Sequence, residues 1–176
     1  MHQYENTSDR TSEGYCAALW QSEKLAGLTL PHGEKGEAIA TLGRYVGEEL
    51  RSLPIGMNLG LYQQQLASDM VDYFNGVSVA FNVQLCWDRL TDFQRSVLEV
   101  VSRIPYGSFL SYGNIAKEIG KPKGARAVGG AVGSNPWLLV VPCHRVLASN
   151  GGLGGFSSGL SWKRRLLKIE SIKYSG

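Results

Sequence analysis

SYGNIAKEIGKPKGARAVGGAVGS, residues Ser111 to Ser134, is the stretch that decides what this chain can fold into. Ser111 can cap a helix from about Tyr112 to Ile119, because its hydroxyl oxygen accepts from an amide left free in the first turn. Gly120 closes that helix, since glycine tolerates the backbone conformation that ends one. Lys121-Pro122-Lys123-Gly124 is then a short basic connector, and a second helix is predicted from Ala125 to Ser134. Two short helices joined by a tight turn read as a helix-turn-helix. The second helix is made almost wholly of small residues, and its three interior glycines each cost about 0.5–1 kcal/mol relative to alanine. Two explanations stand open. One is tight packing on a neighbouring helix; the other is a smooth face against nucleic acid, with Arg126 as its one long projection.

Working outward, Thr91 and Gln94 have the form of a capping box ahead of Phe93, Val97, Val100, Val101 and Ile104, a helix that stops at Pro105. After the helix pair, Trp137 to Val141 reads as a buried strand followed by Pro142. Asn150-Gly151-Gly152 signals a turn. Ser161 to Ile169 closes the chain as a helix, with Trp162, Leu166 and Ile169 inward. Lys163, Arg164, Arg165 and Lys168 are then most simply its solvated face. Upstream, Met1 to about Gly14 is polar and expected to fray. Tyr15 to Leu30 suggests one or two strands with a turn at Gly27. Ile39, Leu42, Val46 and Leu50 give Gly36 to Leu50 helical spacing, and Leu66, Met70 and Phe74 do the same for Leu61 to Phe74. Val77 to Leu85 alternates like a strand. The expected class is α+β: a small N-terminal α/β domain over 1–88, and a mostly helical helix-turn-helix-like domain over 89–176.

Composition supports two small domains or one ordinary one, with 176 residues, 43% hydrophobic and 19% charged. The longest apolar run, Trp137 to Val141, is far too short to span a bilayer. Met1 to Arg10 lacks an apolar signal-peptide core. Three cysteines make no paired framework and favour a reducing compartment, so a cytoplasmic location is expected. Charge is unevenly spread. Up to Asp88 there are five Lys and Arg against eleven Asp and Glu, a net of −6; from Arg89 onward the counts are thirteen and four, a net of +9. A basic half can attract a polyanion by steering and counterion release, or can simply be a solvated face.

Chemistry concentrates at Pro142-Cys143-His144-Arg145-Val146. A cysteine is an effective nucleophile only as thiolate, so it needs a base or positive surroundings. His144 is adjacent, yet neighbouring side chains on a strand point to opposite faces, so a bridging water is as natural as direct contact. Glu170 on the last helix is a candidate to orient the histidine. Arg145 fits either a phosphate contact or an internal ion pair. Cys16 and Cys86, with His2 and His32, match no zinc-ligand spacing, and no metal is expected.

Several motifs stand in one order: Ile-Pro-Tyr-Gly at 104–107, Ser-Tyr-Gly-Asn-Ile-Ala at 111–116, Ala-Arg-Ala-Val-Gly-Gly-Ala at 125–131 and Asn-Pro at 135–136. Val-Pro-Cys-His-Arg-Val at 141–146 and Ser-Ser-Gly-Leu at 157–160 follow. Together they resemble the O6-alkylguanine-DNA alkyltransferase family, densely over about Thr91 to Glu170. The resemblance implies an RNase H-like N-terminal domain, a winged helix-turn-helix, and single-turnover repair of O6-alkylguanine, with O4-alkylthymine as a further substrate. It makes Cys143 the alkyl acceptor, with His144 acting through water and Glu170 holding it. Asn135 becomes the hinge before the site, Arg126 the finger that replaces an extruded base, and Tyr112 the group that helps rotate the nucleotide and then bonds the guanine.

The same resemblance puts Gly113, Lys121 and Ser149 on the DNA backbone and Ala125, Ala127 and Gly129 on the DNA-facing helix. It puts Val146, Ser157, Phe156, Trp137 and Leu160 around the base pocket. Phe156 departs from the tyrosine common in the family, and Gly113 and Lys121 from its usual polar residues. The implied partner is alkylated double-stranded DNA held by its minor groove, bound by a monomer without cofactor, in the cytoplasm at the nucleoid or in a nucleus. Two competitors are a lesion sensor, which would lack the acceptor cysteine, and a multiple-turnover cysteine hydrolase.

Overall fold

The computed structural model describes residues 4–11, 13–46 and 61–175, in two units: Met1–Asp88 with Pro136–Leu138, and Arg89–Asn135 with Leu139–Gly176. Leu50 and His2 lie outside the described residues.

In the first unit β1 (Tyr4–Thr11), β2 (Gly14–Gln21) and β3 (Lys24–Leu28) form an antiparallel sheet in that order. Within the polar opening segment, Tyr4–Thr11 is therefore strand where fraying was expected. All eight of its strand residues pair with β2, from Tyr4 opposite Gln21 to Thr11 opposite Gly14. The β2–β3 turn falls at Ser22-Glu23, with Ser22 at φ 55°, and not at Gly27. Gly27 lies inside β3 for a different reason: a Cβ there would sit 2.5 Å from Val46 Cγ1. Helix α1 (Lys35–Val46) packs Ala38, Leu42 and Val46 with Ala17, Leu19, Ala26 and Cys86 in an apolar core. Helix α2 (Leu61–Phe74) buries Leu66, Met70 and Tyr73.

Val77 to Leu85 forms no paired strand. Val79, Phe81, Val83 and Leu85 are half-buried while Ala80, Asn82 and Gln84 are exposed, so the alternation is real, but only Leu85 bridges to the sheet, at Leu25. Trp137 belongs to this unit. Its ring is fully buried, lies 4.8 Å from Trp87, and donates its indole N–H to Leu25 O at 2.7 Å. Leu28 N donates to Pro136 O at 2.8 Å on the same edge.

The second unit is assembled from capped helices. Thr91 and Gln94 cap α3 (Asp92–Ser102) reciprocally, and Val97, Leu98, Val100 and Val101 face inward. Ser111 and Asn114 do the same for α4 (Tyr112–Glu118). Gly120, at φ 71°, ends that helix, and Lys121 N then donates to Ala116 O at 2.8 Å. Helix α5 (Ala125–Gly133) completes the helix-turn-helix. A two-residue parallel ladder joins β4 (Leu110–Ser111) to β5 (Val146–Leu147), and α6 (Leu160–Ile169) closes the unit. No strand forms at 137–141. Trp137 makes one bridge, and the chain then turns through Leu139 at φ 72°, a conformation that no extended strand contains. Cys143–Arg145 is a turn of 3₁₀ helix, so successive side chains are about 120° apart, not on opposite faces. Among the described residues no helix is long and apolar enough to cross a membrane.

Candidate active site

A cavity of about 720 Å³ opens in the second unit, and three segments line it. Tyr112 and Gly113 come from the start of α4. Ala125, Arg126, Gly129, Val132 and Gly133 come from α5. Ala148, Ser149, Gly155, Phe156 and Ser157 come from the loop ahead of α6, and Cys143 also reaches the cavity wall. Helix packing does not demand glycine at two of the three α5 positions. A Cβ at Gly130 or Gly133 would meet nothing within 4 Å. Arg126, Gly130 and Gly133, at i, i+4 and i+7, form one exposed face with the arginine standing alone on it. Gly154 answers to close approach, since at φ 65° its Cβ would lie 2.9 Å from the Tyr112 ring.

Cys143 is 3% exposed. Burial pushes its thiol above the ordinary value, while a hydrogen bond from the Asn135 side chain and the charge of Lys163 pull it back. Asn135 is itself buried and donates its amide to Val141 O at 2.8 Å, which fixes the turn leading into the cysteine. His144 is fully buried, and that burial lowers its pKa and keeps it neutral. Its Nε2 meets Glu170 Oε1 at 2.7 Å. With Nε2 donating to a carboxylate, the basic lone pair resides on Nδ1.

Glu170 gathers more than the histidine. Arg145 donates Nε to Oε2 at 2.8 Å and Nη2 to Oε1 at 2.9 Å, and Gly107 N donates to Oε2 at 3.1 Å. Burial alone would raise this carboxyl; His144 and Arg145 override it and hold it at about 2. Arg145 thus makes the internal ion pair, and its Nη1 donates to Ile104 O at 2.6 Å. Tyr112, half-buried against the cavity, has its hydroxyl pKa raised by desolvation and then by Cys143.

The structure therefore brings Cys143, Asn135, His144, Glu170 and Tyr112 into one cluster, with Arg126, Gly113, Ser149, Ala125, Gly129, Ser157 and Phe156 around the opening. Other expected residues fall elsewhere. Trp137 is in the core of the first unit, its indole bound to β3, and does not line this cavity. Leu160, the first residue of α6, is 39% exposed and does not face the cavity. Val146 is buried, and its carbonyl already accepts from Lys163. Ala127 and Lys121 are exposed but outside the lining.

Lys163, expected on the solvated face of the last helix, is also misplaced by the sequence pattern. It is fully buried, and its Nζ donates to the carbonyls of Val146, Leu153 and Gly155. A signal was present: Lys163, Leu166, Leu167 and Glu170 follow i, i+3, i+4, i+7, a helical stripe one residue removed from the one through Trp162 and Ile169.

Comparison with known proteins places this arrangement. Residues 92–172 match the family profile described as 6-O-methylguanine DNA methyltransferase, DNA binding domain. A methylated-DNA–protein-cysteine methyltransferase of Methanosarcina acetivorans is 50% identical over 98 residues, 56% of this chain and 62% of that relative, so the match spans about three fifths of the curated protein. Among solved structures, the Mycobacterium tuberculosis O6-methylguanine methyltransferase superposes with a TM-score of 0.77 at 31% identity, covering 99% of this chain and 97% of the other. A structure of Mycobacterium tuberculosis OGT in complex with DNA gives 0.71 at 29% identity, covering 94% and 92%.

Proposed function

Because this chain belongs to the O6-methylguanine-DNA methyltransferase family, we propose that it repairs DNA by moving the alkyl group of O6-alkylguanine, and of O4-alkylthymine, onto Cys143. The observation that carries the reading is a cysteine at the wall of a cavity whose rim is the small-residue helix bearing Arg126.

A base alkylated at O6 is hidden in the stack and must be swung out, at a cost of a few kcal/mol that poor pairing of the lesion reduces. The bare α5 face suits the minor groove, with Arg126 entering the gap that the base leaves. A basic half of net +9 draws in the phosphate backbone. Gly113, Ser149 and the exposed Lys121 are the backbone contacts of this reading, and Ser157 and Phe156 border the base.

Through a water, Nδ1 of His144 takes the Cys143 proton, and Glu170 steadies the imidazolium that forms. The sulfur then attacks the alkyl carbon; the S–C bond forms as the C–O6 bond breaks. Tyr112 gives a proton to the leaving guanine, and the histidine's proton restores the tyrosine through solvent, so the products are a neutral base and a thioether. A thioether is a poor leaving group, so each molecule reacts once. The protein acts as a monomer at the DNA of the cytoplasm or nucleus.

Intact-protein mass spectrometry after incubation with an O6-methylguanine duplex tests this. One methyl group per chain, on the Cys143 peptide and lost in Cys143→Ala, is expected. No retained methyl, or label surviving in Cys143→Ala, overturns it.

A further inference from the structure

The buried Lys163 has no part in the steps above. Its Nζ donates to three carbonyls, those of Val146 at 2.6 Å, Leu153, and Gly155 at 3.2 Å. Three acceptors need three N–H groups, which only the ammonium has; the neutral amine would turn a lone pair on one carbonyl. The geometry thus specifies a charged lysine. Its charge acts on Cys143 and His144 of the 3₁₀ turn, and the Tyr112 ring of α4 has its centroid 6.0 Å from Nζ. Glu170, two turns along α6, is engaged by Arg145 and His144. Glu170 therefore offsets the arginine, and the charge of Lys163 is left to act on Cys143.

We infer that Lys163 is a positioning residue for alkyl acceptance: its ammonium ties β5 at Val146 to the loop at Leu153 and Gly155 beside the cavity and supplies the positive charge against which Cys143 ionises. This rests on Cys143 being the acceptor. No new bond is made; the lysine keeps its three protons while the thiol loses one to His144. Desolvation lowers the lysine to about 8, and the Cys143 charge opposes that fall. Its charge is consequently lost just above neutrality, which sets an upper pH limit on a site whose thiolate would otherwise only gain population as pH rises.

The test follows the carbamidomethylation of Cys143 by iodoacetamide against pH in the full chain, read on the Cys143 peptide so that Cys16 and Cys86 do not contribute. Lys163→Met should slow labelling near neutral pH by about tenfold or more, the factor for one unit of thiol pKa. Lys163→Arg, whose charge does not titrate, should restore labelling and carry it to higher pH. A folded Lys163→Met with the parent's profile overturns the inference. Should both variants fail to fold, the parent decides. A departure from a simple thiol curve above about pH 8 is expected, and the titration of an isolated thiol overturns the inference. An unlabelled Cys143 after incubation with lesion DNA would instead defeat the acceptor reading, and the iodoacetamide curve would still decide the role of the lysine.

Discussion

The two units bury polarity differently. Among the described residues, Thr29 and Gln63 are the buried polar side chains of the first unit. The second unit buries Asn135, His144, Arg145, Lys163 and Glu170, four of them ionisable. A buried charge is costly unless paired, and replacing such pairs with apolar groups is often neutral or stabilising. One unit is thus built for packing, while the other sustains an electrostatic expense that a packing role alone does not require. That expense surrounds Cys143.

The comparison breaks most readily at its centre. Glu170→Ala leaves Arg145 and His144 buried without their carboxylate, and should destabilise the chain by about 3–5 kcal/mol in denaturant unfolding. It should also slow alkyl transfer in whatever remains folded. A loss under about 1 kcal/mol would show the network to be dispensable to the second unit.

Acid sharpens the same contrast. Glu170 is held at about 2 against an ordinary 4.5, so its stabilisation, of order 3 kcal/mol, is complete above pH 4.5 and lost as pH falls toward 2. His144 adds a loss of the same sign that begins nearer 6.5, since the unfolded chain takes up a proton that the folded histidine resists. Stability measured against pH should therefore rise from 2 to about 6.5. A flat profile would contradict both assignments.

In the first unit the expected damage is mechanical. Gly27→Ala places a Cβ 2.5 Å from Val46 Cγ1 and should cost about 1–3 kcal/mol through overpacking, with alkyl transfer per folded molecule unchanged. A slowed transfer would mean that the first unit does more than pack. The mildest change is Arg126→Ala, at an exposed side chain. It should leave stability untouched and reduce repair of duplex DNA at least about tenfold, because an unfilled stack costs a few kcal/mol. Reaction with free O6-benzylguanine should be spared; equal losses on both substrates would remove the arginine from base extrusion.

The parts legible in the sequence are those with local causes. Thr91 with Gln94 forms the expected capping box, and Ser111 caps α4 as expected, with Asn114 completing a box there; each places a side chain on a backbone amide three residues away. Helix α2 spans the expected 61–74 because its apolar spacing is carried within the segment. What was illegible depends on distant partners. β1 is a polar octapeptide whose strand state exists through pairing with β2. Val77 to Leu85 has the period of a strand and lacks a neighbour to pair with along its length. Cys143 and its partners were readable as ordered motifs, whereas Lys163 sits in the basic run Lys163-Arg164-Arg165, where two of three charges are exposed and the buried one is marked by the helical stripe with Leu166, Leu167 and Glu170 alone. Trp137 misled for a related reason: an apolar run announces burial and does not say in which core.

That last residue has an architectural consequence. Pro136–Leu138 sits in the sheet of the first unit while the chain on either side, Asn135 and Leu139, belongs to the second. The polypeptide passes between the units three times, so no single cut yields two self-sufficient modules. A fragment beginning at Arg89 would carry Trp137 away from Leu25 O and from Trp87, stranding an indole two residues from the asparagine that holds Val141 O ahead of Cys143. Exchange of either half for an unrelated one would break both of those contacts unless the Pro136–Leu138 segment moved with the first unit.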